Sequence, residues 1–372
     1  MTIGIIGLGA MGLGIAQVFA QSGQRVIGYD ANPAALDSAK DRLRAQLAPR
    51  VEKGALSPDL MAQILDNLCV SDSLSALAPS ELVIEAIIER LEVKQAVLAE
   101  VIPHLSADSV VATNTSSLSV AAIASGLLRP QNVLGLHFFN PAPVMKLVEL
   151  VPHSGTSAQA LARARIASEA AGKTLVQCAD RPGFIVNRCA RPFYGEALAL
   201  MESGFSPAQI DAAMLAAGYR LGPFALIDLV GADINLAATQ SLAEAMNNHP
   251  RYHVFAALLA QVARGDLGRK TGKGFVFPAE VAAKENAEIT LQIEATLVNE
   301  AAWLLGEGGA QPEGIDTAMR LGLNFPRGPF EILAARGQGE ILAKLSALES
   351  TAPPHLKTRY LPAPFLKTGT HL

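Results

Sequence analysis

The chain has few charges, few cysteines and no long apolar run, and each shortage narrows what it does. Charged residues make up 17% of the sequence, against about 25% in ordinary soluble chains. The 30 basic residues are outnumbered by 34 acidic ones, for a net charge of −4. A broad basic face is therefore excluded, and nucleic acid is not an expected partner; only a small local basic pocket stays open. Mean hydropathy is +0.28, yet no apolar stretch reaches the ~20 residues needed to span a bilayer. Neither a membrane span nor a membrane partner is expected. The start, Met1-Thr2-Ile3-Gly4, lacks the positive charge of a secretory leader. Cys69, Cys178 and Cys189 are odd in number and have no disulfide or metal spacing, which fits a reducing cytoplasm. Half of the 372 residues are hydrophobic, enough for a large core in two or three domains.

The first 180 or so residues alternate apolar runs with helical stretches. Strands are expected at Thr2–Gly7, Arg25–Asp30, Leu82–Ile88, Val110–Asn114, Val133–Phe139 and Leu147–Val151. They are almost continuously apolar, as parallel strands covered on both faces must be. Helices are expected at Met11–Ser22, Pro33–Glu52 and Arg90–Ile102, with Asn32 as cap ahead of Pro33. This alternation predicts a doubly wound, Rossmann-type α/β domain.

Beyond the turn-forming cluster Asp180-Arg181-Pro182-Gly183 the pattern becomes helical. Helical spacing covers Phe184–Met201, Ala208–Ala217, Ile234–Ala245 and Arg251–Arg264. An internal repeat follows: Pro207, Ile210-Asp211, Met214 and Gly222-Pro223-Phe224 recur as Pro312, Ile315-Asp316, Met319 and Gly328-Pro329-Phe330. The offset is 105 residues at the proline and one more at the Gly-Pro-Phe, a period over some thirty positions that implies two related helical units. The expected division is 1–181, an α/β nucleotide domain; 182–280, a first helical domain; and 288–372, a degenerate second copy. The proline-rich tail from Thr351 is expected to wrap the surface, with Tyr360, Leu361 and Phe365 as anchors.

Gly7-Leu8-Gly9-Ala10-Met11-Gly12 follows the first strand and opens a helix. The first glycine permits a tight turn, the second a close approach of backbone to pyrophosphate, and the third close packing of helix on strand. Asp30 ends the second strand, 18 residues after Gly12. A carboxylate there accepts hydrogen bonds from ribose hydroxyls and repels a 2′-phosphate, and Ala31 and Asn32 supply no cation for one. The expected cofactor is NAD rather than NADP. FAD, or a glycine turn that merely packs a helix, are the alternatives.

His137-Phe138-Phe139-Asn140-Pro141 closes another strand, where ligands of open α/β sheets gather. A histidine there can take the proton of an alcohol as hydride leaves. Glu149 lies in the apolar strand Lys146–Val151, a costly place for a carboxylate without a partner. An imidazole would satisfy it and gain basicity. Other readings are a satisfied core histidine and a metal site; three ligands at fitting spacing are lacking, so no metal is expected. Asn114-Thr115-Ser116-Ser117 ends a further strand, and Asn187 opens the helical region. Both sets are candidates for holding substrate or nicotinamide, with a turn and a helix-surface residue as the plain readings.

At these residues the sequence resembles the (S)-3-hydroxyacyl-CoA dehydrogenase family of β-oxidation. The resemblance rests on the loop from Gly7 to Ala16, on Glu85-Ala86-Ile87-Ile88-Glu89, on Asn114–Ser117, on His137–Pro141 and on Arg181–Arg188. The run from Asn187 to Leu198 is similar to the phenylacetate-catabolism branch, which oxidises 3-hydroxyadipyl-CoA. The resemblance implies that His137 is the acid/base, that Glu149 orients and polarises it, and that Ser116 and Asn187 hydrogen-bond the substrate. It implies that Gly7, Gly9, Met11, Gly12 and Asp30 hold NAD, that Glu89, Lys94 and Asn114 lie along the cofactor, and that Lys53 falls where the family contacts CoA phosphate. A solvated helix lysine is the plain reading of Lys53.

Many members stop after one helical unit, whereas this chain continues with a second, and Gln292 stands where the first copy has Asn187. The second copy is read as non-catalytic. The expected assembly is a homodimer, or an internal pseudo-dimer in which copy two packs on copy one as a partner's domain would. The implied reaction is NAD-dependent, reversible oxidation of an (S)-3-hydroxyacyl-CoA to the 3-oxoacyl-CoA in fatty-acid or phenylacetate-type β-oxidation. Alternatives are a related dehydrogenase of a non-CoA substrate, of the L-gulonate or carnitine type, and a non-catalytic NAD-binding protein.

Overall fold

A computed structural model describes residues 1–368, which divide into two compact units, 1–181 and the chain from Pro182 onward. The first is built on an eight-stranded sheet: β1 (Thr2–Ile6), β2 (Arg25–Tyr29), β3 (Leu68–Ser71), β4 (Leu82–Glu85), β5 (Val110–Thr113), β6 (Val133–Phe138), β7 (Leu147–Val151) and β8 (Thr174–Gln177). Their order is β3-β2-β1-β4-β5-β6-β7-β8. The chain winds outward from β1 to β2 and β3, then crosses back to place β4 on the other side of β1. That reversal opens a crevice at the carboxyl ends of β1 and β4.

The six expected strands form, each within a few residues of its expected bounds. Two more were not legible. β3 has an apolar run of only three residues, Leu68-Cys69-Val70, too short to mark a strand, and β8 is an edge strand of mixed polarity. The expectation of parallel strands fails at one place: β7 runs antiparallel to β6, with His137 opposite Glu149, and parallel to β8. Helix α1 (Ala10–Gln21) follows β1, and α2 (Pro33–Glu52) has the expected bounds. The Asn32 side chain accepts from the Ala34 N–H at 3.1 Å, one of the donors a helix start leaves unpaired. A third helix, α3 (Pro58–Asn67), precedes β3, and α4 (Leu91–Val101) follows β4. Ile3, Ile5, Leu13, Ile15, Leu82, Ile84 and Leu136 fill the core on one face of the sheet; Ile6, Val83, Leu98 and Val111 fill the other.

The second unit is helical. The expected single helix Phe184–Met201 is two, Val186–Cys189 and Arg191–Glu202. Pro192 has no N–H to continue the first, and its ring excludes the carbonyl four residues back, that of Arg188. Likewise Arg251–Arg264 resolves into a 3₁₀ turn at Pro250–Tyr252 and a helix at Ala256–Ala263. The repeat is structural. Asp211 in Pro207–Ala216 accepts from the N–H groups of Phe224 and Ala225 at 2.9 and 2.8 Å. Asp316 in Pro312–Leu323 accepts from those of Phe330 and Glu331 at 2.8 and 3.1 Å. Each buried carboxylate thus caps the helix that its own Gly-Pro-Phe begins. A Cβ at Gly222 or Gly328 would come within 2.3 Å of its aspartate, which is why glycine opens both triplets. The two halves share one packed unit: Arg191–Glu202 packs against Ala287–Gly306, and Arg188 reaches Glu300 and Glu307 at 2.7 Å. In the tail Tyr360 is buried, but Leu361 is exposed and contributes its carbonyl to Asn299; Leu366 is buried in its place.

Candidate active site

The glycine turn is tight for measurable reasons. Gly7 has φ +93°, and a Cβ there would lie 2.7 Å from the Ala86 carbonyl. A Cβ on Gly12 would lie 1.8 Å from the Gly7 carbonyl. Around Gly9, by contrast, a Cβ would meet nothing within 4 Å, so open space lies over the start of α1. Its free N–H groups and the positive end of its dipole suit a pyrophosphate there. Met11 is half-buried on that helix and packs on the core. Asp30 accepts from Leu8 N–H at 2.7 Å and from Asn32 N–H at 2.8 Å. Each carboxylate oxygen keeps acceptor capacity for ribose hydroxyls. These residues fit a dinucleotide.

The loops after β4 and β5 are tied by one charged network. Lys94 is 1% exposed, and its ammonium lies 2.6 Å from Glu85 and 3.2 Å from Glu89. Glu85, fully buried, also accepts from Thr113 Oγ1 at 2.8 Å and Ile87 N–H at 2.7 Å. Glu89 accepts from the Thr115 hydroxyl at 2.6 Å and from the N–H groups of Ser116 and Ser117 at 2.9 and 3.1 Å. Burial opposes its charge, yet the Thr115 hydroxyl, Lys94 and the serine donors together hold its carboxyl below the ordinary range. Lys94 is therefore enclosed between the two carboxylates that the loop after β4 carries. Asn114 accepts from Phe138 N–H at 2.8 Å, fastening the end of β5 to the residue after His137.

His137 and Glu149 are 6% and 0% exposed, with Nδ1 2.6 Å from Oε2. An ionised carboxylate only accepts. Nδ1 then carries the proton, and Nε2 presents a lone pair. That is the tautomer a general base needs. Nearby Cys178 is buried, and burial with the Glu149 and Asp180 charges pushes its thiol well up, so it is no nucleophile. Lys53 stands apart, exposed at the carboxyl end of α2, its ammonium without a protein partner among the described residues. Asn187 belongs to the second unit, on Val186–Cys189.

Residues 2–181 match the profile of the 3-hydroxyacyl-CoA dehydrogenase NAD-binding domain, and residues 183–277 and 289–369 that of the C-terminal domain of the same enzymes. The chain belongs to the 3-hydroxyacyl-CoA dehydrogenase family. It carries both the NAD-binding domain and the C-terminal domain of that family. It is 43% identical over 275 residues to the 3-hydroxyadipyl-CoA dehydrogenase of Escherichia coli K12, covering 73% of this chain and 58% of that one. The chain thus spans little more than half that relative's length. It is 37% identical over 278 residues to a 3-hydroxybutyryl-CoA dehydrogenase of Mycobacterium tuberculosis, covering 73% of this chain and 96% of the relative. The crystal structure of 3-hydroxybutyryl-CoA dehydrogenase from E. coli K12 superposes with a TM-score of 0.92 at 32% identity, over 99% of this chain and 98% of that one.

Glu85 and Thr113 were not singled out as site residues from the sequence. The signal existed: a carboxylate closing the apolar strand Leu82–Glu85 calls for a partner as Glu149 does. No helix among the described residues is long and apolar enough to cross a membrane.

Proposed function

We propose that this dehydrogenase reversibly oxidises (S)-3-hydroxyacyl-CoA to 3-oxoacyl-CoA, in the reducing cytoplasm. The observation that carries the reading is the buried His137–Glu149 pair at the carboxyl end of β6. NAD, when bound, accepts the C3 hydride. His137 Nε2 takes the hydroxyl proton, and Glu149 stabilises the imidazolium that results. Ser116 and Asn187 hydrogen-bond the reacting oxygen. Asp30 holds the adenosine ribose; Gly7, Gly9, Met11 and Gly12 shape the pyrophosphate seat. Glu89 and Asn114 border the nicotinamide side, and Lys94 positions both loops. Lys53 is a CoA-phosphate contact.

The three-part division 1–181, 182–280 and 288–372 belongs to this reading, with the last part a non-catalytic partner for the second. Gln292, the equivalent of Asn187, is spent on Glu196 at 2.8 Å. A pseudo-dimer of this kind needs no second chain, and light scattering is expected to find a monomer; an obligate dimer overturns that part.

The deciding assay is NADH oxidation with acetoacetyl-CoA, beside free acetoacetate and the His137→Ala variant. Rapid turnover with the thioester alone, lost in the variant, is expected. Turnover of acetoacetate but not the thioester would instead favour a non-CoA dehydrogenase. NADH binding without turnover over a panel of 3-oxoacyl-CoA chain lengths would overturn the enzymatic reading.

A further inference from the structure

Residues 114–119 join β5 to a short helix, α5 (Val120–Ala124), and two carboxylates hold this loop. Glu89 holds its first half. The Glu89 Oε1 accepts from the Thr115 hydroxyl, from the N–H groups of Ser116 and Ser117, and from the Ser117 hydroxyl at 3.0 Å. All of these bonds end on one oxygen, while Oε2 faces Lys94. Asp180 holds the second half and uses both of its oxygens. Oδ1 accepts from Val120 N–H at 2.9 Å. Oδ2 accepts from the Ser119 hydroxyl and from Ala121 N–H, each at 2.8 Å. The Ser119 hydroxyl in turn accepts from Ala122 N–H at 3.2 Å.

A helix as short as α5 does not hold itself, because fixing a first turn costs more than a few hydrogen bonds return. Its leading N–H groups, which no helix satisfies internally, end on Asp180 or on Ser119. Asp180 comes 59–61 residues further along the chain, in the turn that closes the first unit at Arg181. An ionised carboxylate accepts and never donates, and its bonds to N–H groups are about twice as strong as neutral ones. Contacts that converge on one oxygen, as at Glu89, fix a point but not an orientation. The two-oxygen grip of Asp180 supplies the second fixed point. Ser116 sits at the first, so the direction of its hydroxyl depends on the second.

We propose that Asp180 is a positioning residue for the reaction: by clamping Ser119, Val120 and Ala121 it aims the Ser116 hydroxyl at the reacting oxygen of the substrate. The proposal rests on the reading of Ser116 as a substrate contact. Asparagine at position 180 keeps the size but offers a single acceptor oxygen, and its NH2 group turns a donor toward another donor. The loop then keeps Glu89 as its charged anchor and loses the second one. A misplacement of about 1 Å can cost about 10²-fold in rate.

The test is a double-variant cycle on the NADH-dependent reduction of acetoacetyl-CoA. Asp180→Asn is expected to lower kcat by roughly tenfold or more, with the NADH dissociation constant unchanged. Ser116→Ala is expected to be slow as well. Adding Asp180→Asn to Ser116→Ala should cost less than about twofold more, because a clamp that acts through the hydroxyl has nothing left to aim. The same fold loss in both backgrounds makes Asp180 a helix cap alone and overturns the proposal, as does wild-type turnover in Asp180→Asn. Ser119→Ala removes one bond of the clamp, and it carries the same cycle, with a smaller loss, if the asparagine variant does not fold. Full turnover in Ser116→Ala would instead overturn the reading of Ser116 on which the proposal rests. A wild type inert on the thioester would overturn the acyl-CoA reading itself.

Discussion

His137 and Glu149 are direct cross-strand partners in the only antiparallel ladder of the sheet among the described residues, with Nδ1 2.6 Å from Oε2. Side chains alternate across a strand, so a slip of one residue between β6 and β7 would turn the two to opposite faces. The ladder sets the geometry of the pair, and the flanking apolar residues Leu136, Phe138, Val148 and Leu150, all buried, hold the register.

Glu149→Gln keeps the shape and can still accept from Nδ1–H through its amide oxygen, but it removes the charge that stabilises imidazolium. Turnover is expected to fall by about 10²-fold, within the range of positioned acid/base catalysis, with the NADH dissociation constant unchanged. Stopped-flow hydride transfer and fluorescence titration of NADH measure the two separately. Wild-type turnover in a folded variant would remove the pair from the mechanism.

Gly12→Ala places a Cβ where the Gly7 carbonyl now sits. The loop must open, and NADH affinity is expected to drop by at least tenfold while the rest of the sheet stays folded. Circular dichroism with NADH titration checks both halves. Gly9→Ala adds a Cβ that meets nothing within 4 Å; it is expected to leave stability unchanged and still weaken NADH binding, because the dinucleotide would fill that space.

Lys94→Met leaves Glu85 buried without its cation. Removing one partner of a buried pair costs about 3–5 kcal/mol, and denaturant unfolding should show a loss of that order. The double variant Lys94→Met/Glu85→Gln should recover part of it. No recovery would mean that the two side chains act independently.

Lys173 is 8% exposed and donates to the carbonyls of Ala142 and Met145 at 2.6 and 2.7 Å, bracing the loop that follows His137. Burial pulls its pKa from 10.5 down to about 8. Between those values the unfolded chain holds a proton that the folded chain has released, so this group's contribution to stability rises with pH across that window. A neutral amine still has two N–H groups for the two carbonyls. The stability of wild type relative to Lys173→Met is therefore expected to be greater at pH 10 than at pH 7.5. The gain is on the order of 2–3 kcal/mol. Chemical denaturation at the two pH values measures it, and a constant difference would show that Lys173 does not titrate there.

Some of this was legible locally. The Gly7–Gly12 turn, the Asn32 cap and most strands of the first unit follow from neighbouring residues, because backbone freedom, capping and apolar runs act over a few positions. The 105-residue repeat was legible as well, and each copy uses its aspartate to cap the helix begun by Gly-Pro-Phe. Burial pushes the two carboxyls up to about 7 at Asp211 and about 6 at Asp316.

The tertiary structure decided what depends on distant partners. The sequence suggests an awkward carboxylate at Glu149, but only the antiparallel turn of β7 puts it beside His137. The resemblance puts Lys94 along the cofactor, but only the tertiary structure shows Glu85 and Glu89 enclosing its ammonium. Arg191 reads as one of many arginines until Asn187, Asn235 and Thr239 surround it with neutral acceptors. Propensity and periodicity are properties of adjacent residues. Burial of charge, and the choice of its partner, are properties of strands and helices brought together from far apart in the chain.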